Sequence, residues 1–287
     1  MGESQGGSVQ QRRLWAVRGE GACSWLTARP SSTSGRLYLS QEDAGFSYRF
    51  WLGLSLGHLR QLGLADPCYA DPILRDPHGW AVGRVHGQVQ REVAAISEEA
   101  DLPCWLEDEA AFGPRGSPDY LIPDIVIPDP DQGTIWAVDV ATTSAQRAET
   151  CTPGGAVRRA ERAKATAYAP ACRRVPAYTA VPFGIDTFGG LGESARTLLG
   201  RLAERRLQAV QRDEDAGADT RLRHLFTQHV VLSLLRAQSH VLRRACMWRH
   251  QQADPSLGDD ARHARRAGSL GLEAAGLADL ATVVLPL

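Results

Sequence analysis

Hydrophobic positions recur at helical spacing between Val85 and Ala100, where Val85, Val89, Val93 and Ile96 define one apolar face. The period then changes. Leu121 to Ile127 and Ile135 to Thr143 are rich in β-branched residues and bounded by Pro, Gly and Asp. They predict two adjacent strands joined by a turn over Pro130-Asp131-Gln132-Gly133. An Arg-rich helix is expected from about Ala156 to Ala169, a third strand from Tyr178 to Ile185, and a helix from Glu193 to Val210. A further amphipathic helix, roughly Thr220 to Arg249, carries Leu225, Val230, Leu234, Val241 and Leu242 on or near one stripe. Strand, strand, helix, strand, helix is an α/β order.

The flanks are less regular. Residues 1–45 are rich in Gly and Ser and read as an irregular arm anchored by Trp15 and Trp25. Phe46 to Leu64 is aromatic and leucine-rich, helical for part of its length. Asp-Pro pairs at Asp66-Pro67, Asp71-Pro72 and Asp76-Pro77 then break both helix and strand. The expected division is an arm and helical segment over 1–80, an α/β core over 81–212, a C-terminal helix over 213–250 and a poorly ordered tail over 251–287.

Composition removes several classes. No apolar run approaches the ~20 residues that span a bilayer, so no membrane partner is expected. Met1 to Gly6 shows neither an apolar signal-peptide core nor the Ser or Thr of a myristoylation site. Cysteines 23, 68, 104, 151, 172 and 246 form no Cys-x-x-Cys pair, which fits an intracellular, reducing compartment. Net charge is −1, yet charge is segregated. Residues 98–139 hold eleven Asp and Glu against one Arg, and residues 147–249 hold eighteen Arg and Lys against nine Asp and Glu. An acidic centre suits hard cations, and a basic half suits a phosphate backbone. Two solvated faces that neutralise each other would give the same pattern. Of the 32 basic side chains, Lys164 is the sole lysine.

The chemistry-bearing set is Asp124, Asp139 and Lys164. Both aspartates interrupt apolar strands, where a charge is costly unless paired or metal-bound. On neighbouring strands they would share a divalent cation able to polarise a phosphodiester. Each would otherwise mark a strand end facing water. Ala160, Lys164 and Tyr168 share a helix face, so the ammonium and phenol are both candidates to point at the strand ends. Arg158, Arg159, Arg162, Arg173 and Arg174 are expected to flank that face and grip nucleic acid.

Pro123-Asp124 followed by Asp139-Val140-Ala141 resembles the PD-(D/E)xK nuclease signature, with the lysine moved to the next helix. More closely, the chain resembles the C-terminal restriction-enzyme-like endonuclease region of site-specific non-LTR retrotransposon proteins. The similar stretches are Gly21 to Ala28, Leu52 to Leu56, Arg84-Val85-His86, Pro123 to Ile127, Val138 to Thr143, Lys164-x-x-x-Tyr168 and Thr187 to Gly192. The resemblance implies a restriction-endonuclease-like core, a mixed sheet flanked by helices with extra N- and C-terminal helices. It also implies Mg²⁺-dependent (or Mn²⁺-dependent) DNA strand cleavage. Asp124, Asp139 and the Val140 carbonyl would hold the metal, with Lys164 and Tyr168 in the catalytic set. An active element nuclease would work in the nucleus on DNA; dimerisation stays open.

Two departures from that family matter. Only Cys68 and His78 stand where it keeps a Cys/His zinc knuckle, so no zinc is expected. Its polymerase is not found in this stretch, and Tyr69-Ala70-Asp71-Pro72 lacks the second aspartate of a Tyr-x-Asp-Asp motif. A relic that binds nucleic acid without cutting is the non-enzymatic alternative. Gly53-Leu54-Ser55-Leu56-Gly57 also fits the nucleophile elbow of a serine hydrolase, but the strands such an elbow requires upstream of Ser55 are not indicated. His86, near a helix start, is a candidate to touch DNA or the site, though a histidine at a helix start is more often a cap or a packed surface group.

Overall fold

A computed structural model describes residues 17–18, 20–28, 36, 38–52, 80–113, 116, 120–130, 132–144, 154–210 and 217–253, with side chains omitted at 52, 80–81 and 245–253. The Asp-Pro segment, Cys68, His78, Ser55 and the 254–287 tail lie outside these residues. The described residues up to Arg243 belong to one compact unit, and those from Arg244 belong to another.

The α/β reading holds in its coarse form: a mixed sheet is flanked by helices. Its four strands lie in the order β1–β2–β3–β4, with β1 at Trp105–Leu106, β2 at Ile125–Asp129, β3 at Thr134–Thr143 and β4 at Tyr178–Asp186. β1 and β3 both run antiparallel to β2, while β4 runs parallel to β3. The helices are α1 Gln41–Leu52, α2 Trp80–Glu99, α3 Gly155–Arg174, α4 Glu193–Ala209 and α5 Ala218–Ala253, with a short 3₁₀ turn at Ser24–Thr27. Among the described residues no helix is long and apolar enough to cross a membrane.

Alternation assigns the two faces of the sheet. Val126, Ala137 and Ala180 turn toward α3, where they pack with Phe112, Tyr168 and Ala171. Trp136 turns the other way, beneath the Arg201 guanidinium of α4 at 5.6 Å from the ring centroid. On α2 the expected stripe of Val85, Val89, Val93 and Ile96 is fully buried.

Several elements depart from the sequence reading, among them α2, which starts at Trp80 and not at Val85. α1 starts at Gln41, inside the segment read as an arm, because Ser40 Oγ accepts the Asp43 N–H at 3.1 Å and caps the helix. α3 runs through Pro170 to Arg174; beyond the proline, Ala171 and Cys172 are held in the cluster around Phe112. β1 was not anticipated, being two residues long and exposed on both. β2 begins at Ile125 and not at Leu121, for a reason that lies in the site itself.

Candidate active site

Continuing the β2–β3 register by one step from the Ile125–Val138 pair sets Asp124 opposite Asp139, and by one more sets Pro123 opposite Val140. The Val140 N–H points toward β2, where Asp124 Oδ2 accepts it at 2.6 Å. Adjacent residues of a strand aim their backbone groups to opposite sides, so Asp139 and Asp124 form a non-hydrogen-bonded pair, the kind in which facing side chains lie closest. Pro123 brings no N–H. The ladder therefore ends there, and the Val140 carbonyl has no donor from the residue opposite it.

Two elements position Asp124. Its own carbonyl accepts the Gln90 Nε2 amide at 2.7 Å and the Glu107 N–H of the β1 extension at 3.0 Å. His86 Nε2, also on α2, lies 3.2 Å from Asp124 Oδ1. Burial pushes the Asp124 carboxyl up. The hydrogen bond and charge of His86, with hydrogen bonds from Asp139 and the Val140 N–H, outweigh that and hold it below the usual carboxylate range.

Asp139 is the more deeply set of the pair, with its side chain 8% exposed. Lys164 Nζ reaches its two oxygens at 2.9 and 2.8 Å. Burial nevertheless pushes the Asp139 carboxyl up to about 6, with Asp124 adding to the rise and Lys164 opposing it. The Lys164 side chain stays 40% exposed, so its ammonium bridges the buried carboxylate and solvent.

No family model matches the chain, and no curated protein matches it. Its chemistry has to be read from these side chains.

Among the described residues no three His, Cys, Asp or Glu side chains converge as a cation site. The donor set is two carboxylates and a backbone carbonyl, all hard oxygens. Mg²⁺ takes one or two carboxylates and keeps waters for the rest, so these groups fit it. Two like charges facing each other across strands oppose one another, and a divalent cation relieves that repulsion.

The remaining expected residues sort differently. Tyr168 shares the face of Lys164, but its hydroxyl donates to the Ile122 carbonyl at 3.0 Å. Burial, followed by the charges of Asp139 and Asp124, raises its pKa, so it stays a phenol and pins the chain entering Asp124. Arg158, Arg159, Arg162, Arg173 and Arg174 are all exposed. On a turn of 3.6 residues the first four fall on the opposite side of α3 from Lys164, and Arg174 falls toward one edge. Apart from Arg174 they do not flank the Lys164 face as expected, because that face of α3 is the one packed on the sheet.

Two contributors, Gln90 and Glu161, have no place in the sequence reading, and His86, open there between site and cap, falls at the site. His86 and Gln90 at i and i+4 are a polar pair beside the Val85–Val89 stripe, the one sequence signal that marked them. Glu161, 7% exposed, is the buried carboxylate of α3.

Proposed function

We propose that this protein is a metal-dependent DNA endonuclease of the restriction-enzyme-like type, built on the PD-(D/E)xK plan and derived from a retrotransposon protein. The observation that carries the reading is the Asp124–Asp139 pair, cross-strand and in contact, with Lys164 within 3 Å of Asp139. Asp124, Asp139 and the Val140 carbonyl would hold Mg²⁺ or Mn²⁺. That ion supplies charge to the phosphodiester and acidifies water.

The chain's own groups do the rest. His86 and the Val140 N–H fix the two oxygens of Asp124. Lys164 neutralises Asp139 until substrate arrives, and its partly exposed ammonium can then turn to the phosphate or the attacking water. Tyr168 holds the Ile122–Asp124 segment in place.

Purified protein is expected to nick supercoiled DNA in Mg²⁺ and to lose that activity with Asp124→Ala or Asp139→Ala. Wild-type nicking by both folded variants would remove the mechanism. The exposed arginines on the far side of α3 favour one second reading, a nucleic-acid-binding relic. Salt-sensitive DNA binding with no Mg²⁺-dependent product would select it.

A further inference from the structure

Glu161 sits one helical turn before Lys164, and its carboxylate reaches around the β4 edge of the sheet. Oε1 accepts the Gly184 N–H of β4 at 3.3 Å and the Ala195 N–H of α4 at 3.1 Å, and Oε2 accepts the Ser194 N–H at 3.4 Å. The residue preceding α4, Gly192, offers no side-chain cap. Glu161 therefore supplies from another helix the acceptors that Gly192 cannot give the first N–H groups of α4.

The passage is cut to fit. A Cβ at Gly184 would stand 2.6 Å from Val157 Cγ1 and 2.7 Å from Glu161 Cγ, and one at Gly192 only 2.0 Å from Glu161 Oε1. None of these distances is tolerable: Gly184 sets how closely α3 approaches β4, and Gly192 leaves room for the Glu161 carboxylate ahead of α4. β3 and β4 are locked in register through Asp139–Pro182 and Ala141–Gly184. The anchor at Gly184 and the lysine at Asp139 thus lie two residues apart on one two-strand frame.

We propose that Glu161 is a positioning residue that sets the height and rotation of α3 and so holds the Lys164 ammonium on Asp139. The proposal rests on the endonuclease reading only for its kinetic consequence. Glu161→Gln keeps the shape but replaces one acceptor with a donor facing N–H groups. It should lower kcat for DNA nicking by about ten- to a hundredfold, with KM unchanged, the loss typical of a misplaced group. Gly184→Ala, which pushes on α3 from the strand side, should give the same split. In a Lys164→Ala background Glu161→Gln should cost nothing more. Equal fractional losses in both backgrounds would reduce Glu161 to a fold support and overturn the proposal.

A second readout needs no activity. Because Lys164 is the only lysine, an amine-directed acylating reagent labels it and the chain's N-terminal amine alone, and peptide mapping separates the two. In folded Glu161→Gln protein Lys164 should label severalfold faster while the N-terminal amine is unchanged. An unaltered Lys164 rate would overturn the proposal. If the wild type fails to nick DNA but Lys164 labelling responds to Glu161→Gln, the endonuclease reading falls and the positioning role stands.

Discussion

Asp124 and Asp139 face each other across the end of the β2–β3 ladder, and the N–H of Val140, next to Asp139, is donated to Asp124 at 2.6 Å. Two carboxylates of one sign are thereby fixed side by side on the α3 face of an apolar sheet. Asp139→Asn removes one of them without changing shape. We expect nicking to fall by more than about a hundredfold, as loss of several kcal/mol of metal-derived stabilisation requires. The thermal midpoint without metal should not drop, because a buried like-charge contact is relieved. Nicking assays beside thermal melts decide it; retained activity in this variant would contradict the assignment.

The pH dependence follows from the same pair. Burial raises Asp139 to about 6 in the folded protein, above its ordinary value, so the native state holds that proton more tightly than the unfolded chain does. Its contribution to stability is greatest at low pH and fades as pH rises through about 6. Asp124 is lowered, so its contribution is present above its ordinary pKa and is lost on acidification. A metal ion held in the proposed site would compete with the Asp139 proton. Mg²⁺ affinity measured by calorimetric titration should therefore weaken by about tenfold per unit of pH below about 6 and level off above it. A flat profile would mean that Asp139 does not bind the ion.

Lys164→Arg is the sharpest substitution of the sole lysine. Arginine keeps the charge, but its planar fork favours a bidentate hold on the carboxylate and it does not give up its proton. The expected outcome is a loss of about tenfold or more in nicking rate with DNA binding unchanged. Full activity would return the lysine to a structural ion pair.

His86→Ala and Gln90→Ala both release Asp124, the first from its side chain and the second from its carbonyl. Groups that orient a metal ligand are typically worth about ten- to a hundredfold in affinity or activity. Each variant should shift the Mg²⁺ midpoint of nicking upward by roughly that amount, with saturating metal restoring part of the rate.

Replacing Arg158, Arg159 and Arg162 together tests the outer face of α3. If these side chains meet phosphates, the slope of log binding constant against log salt should fall by about one per residue. The nicking rate at saturating DNA should stay as it was, since none of the three faces the carboxylates. An unchanged slope would place the DNA elsewhere.

Much of this was legible. The α2 stripe and the β2, β3 and β4 segments announce themselves through period, and the two aspartates stand out because they break apolar runs. What could not be read arises from contacts distant in sequence. Glu161 looks like one more charge in an Arg-rich helix until the β4 edge and the start of α4 are brought against it. His86 meets Asp124 only because α2 crosses the end of β2. The arginines depart for a different reason: they are expected to flank the lysine's face, while the turn of the helix sends most of them to the far side. The start of α1 was carried by Ser40 and Asp43, a capping pattern hidden inside a Gly- and Ser-rich stretch.

Pro123 gives the site its least obvious constraint. Any other residue there would carry an N–H able to meet the Val140 carbonyl and zip the ladder one step further. The longer sheet would close over the oxygen that would hold a cation in the proposed site. The proline thus keeps a seam open at the end of the ladder. If the proposed site is right, substitutions at position 123 that extend the ladder would cost activity whatever they do for stability, a constraint set by one missing hydrogen.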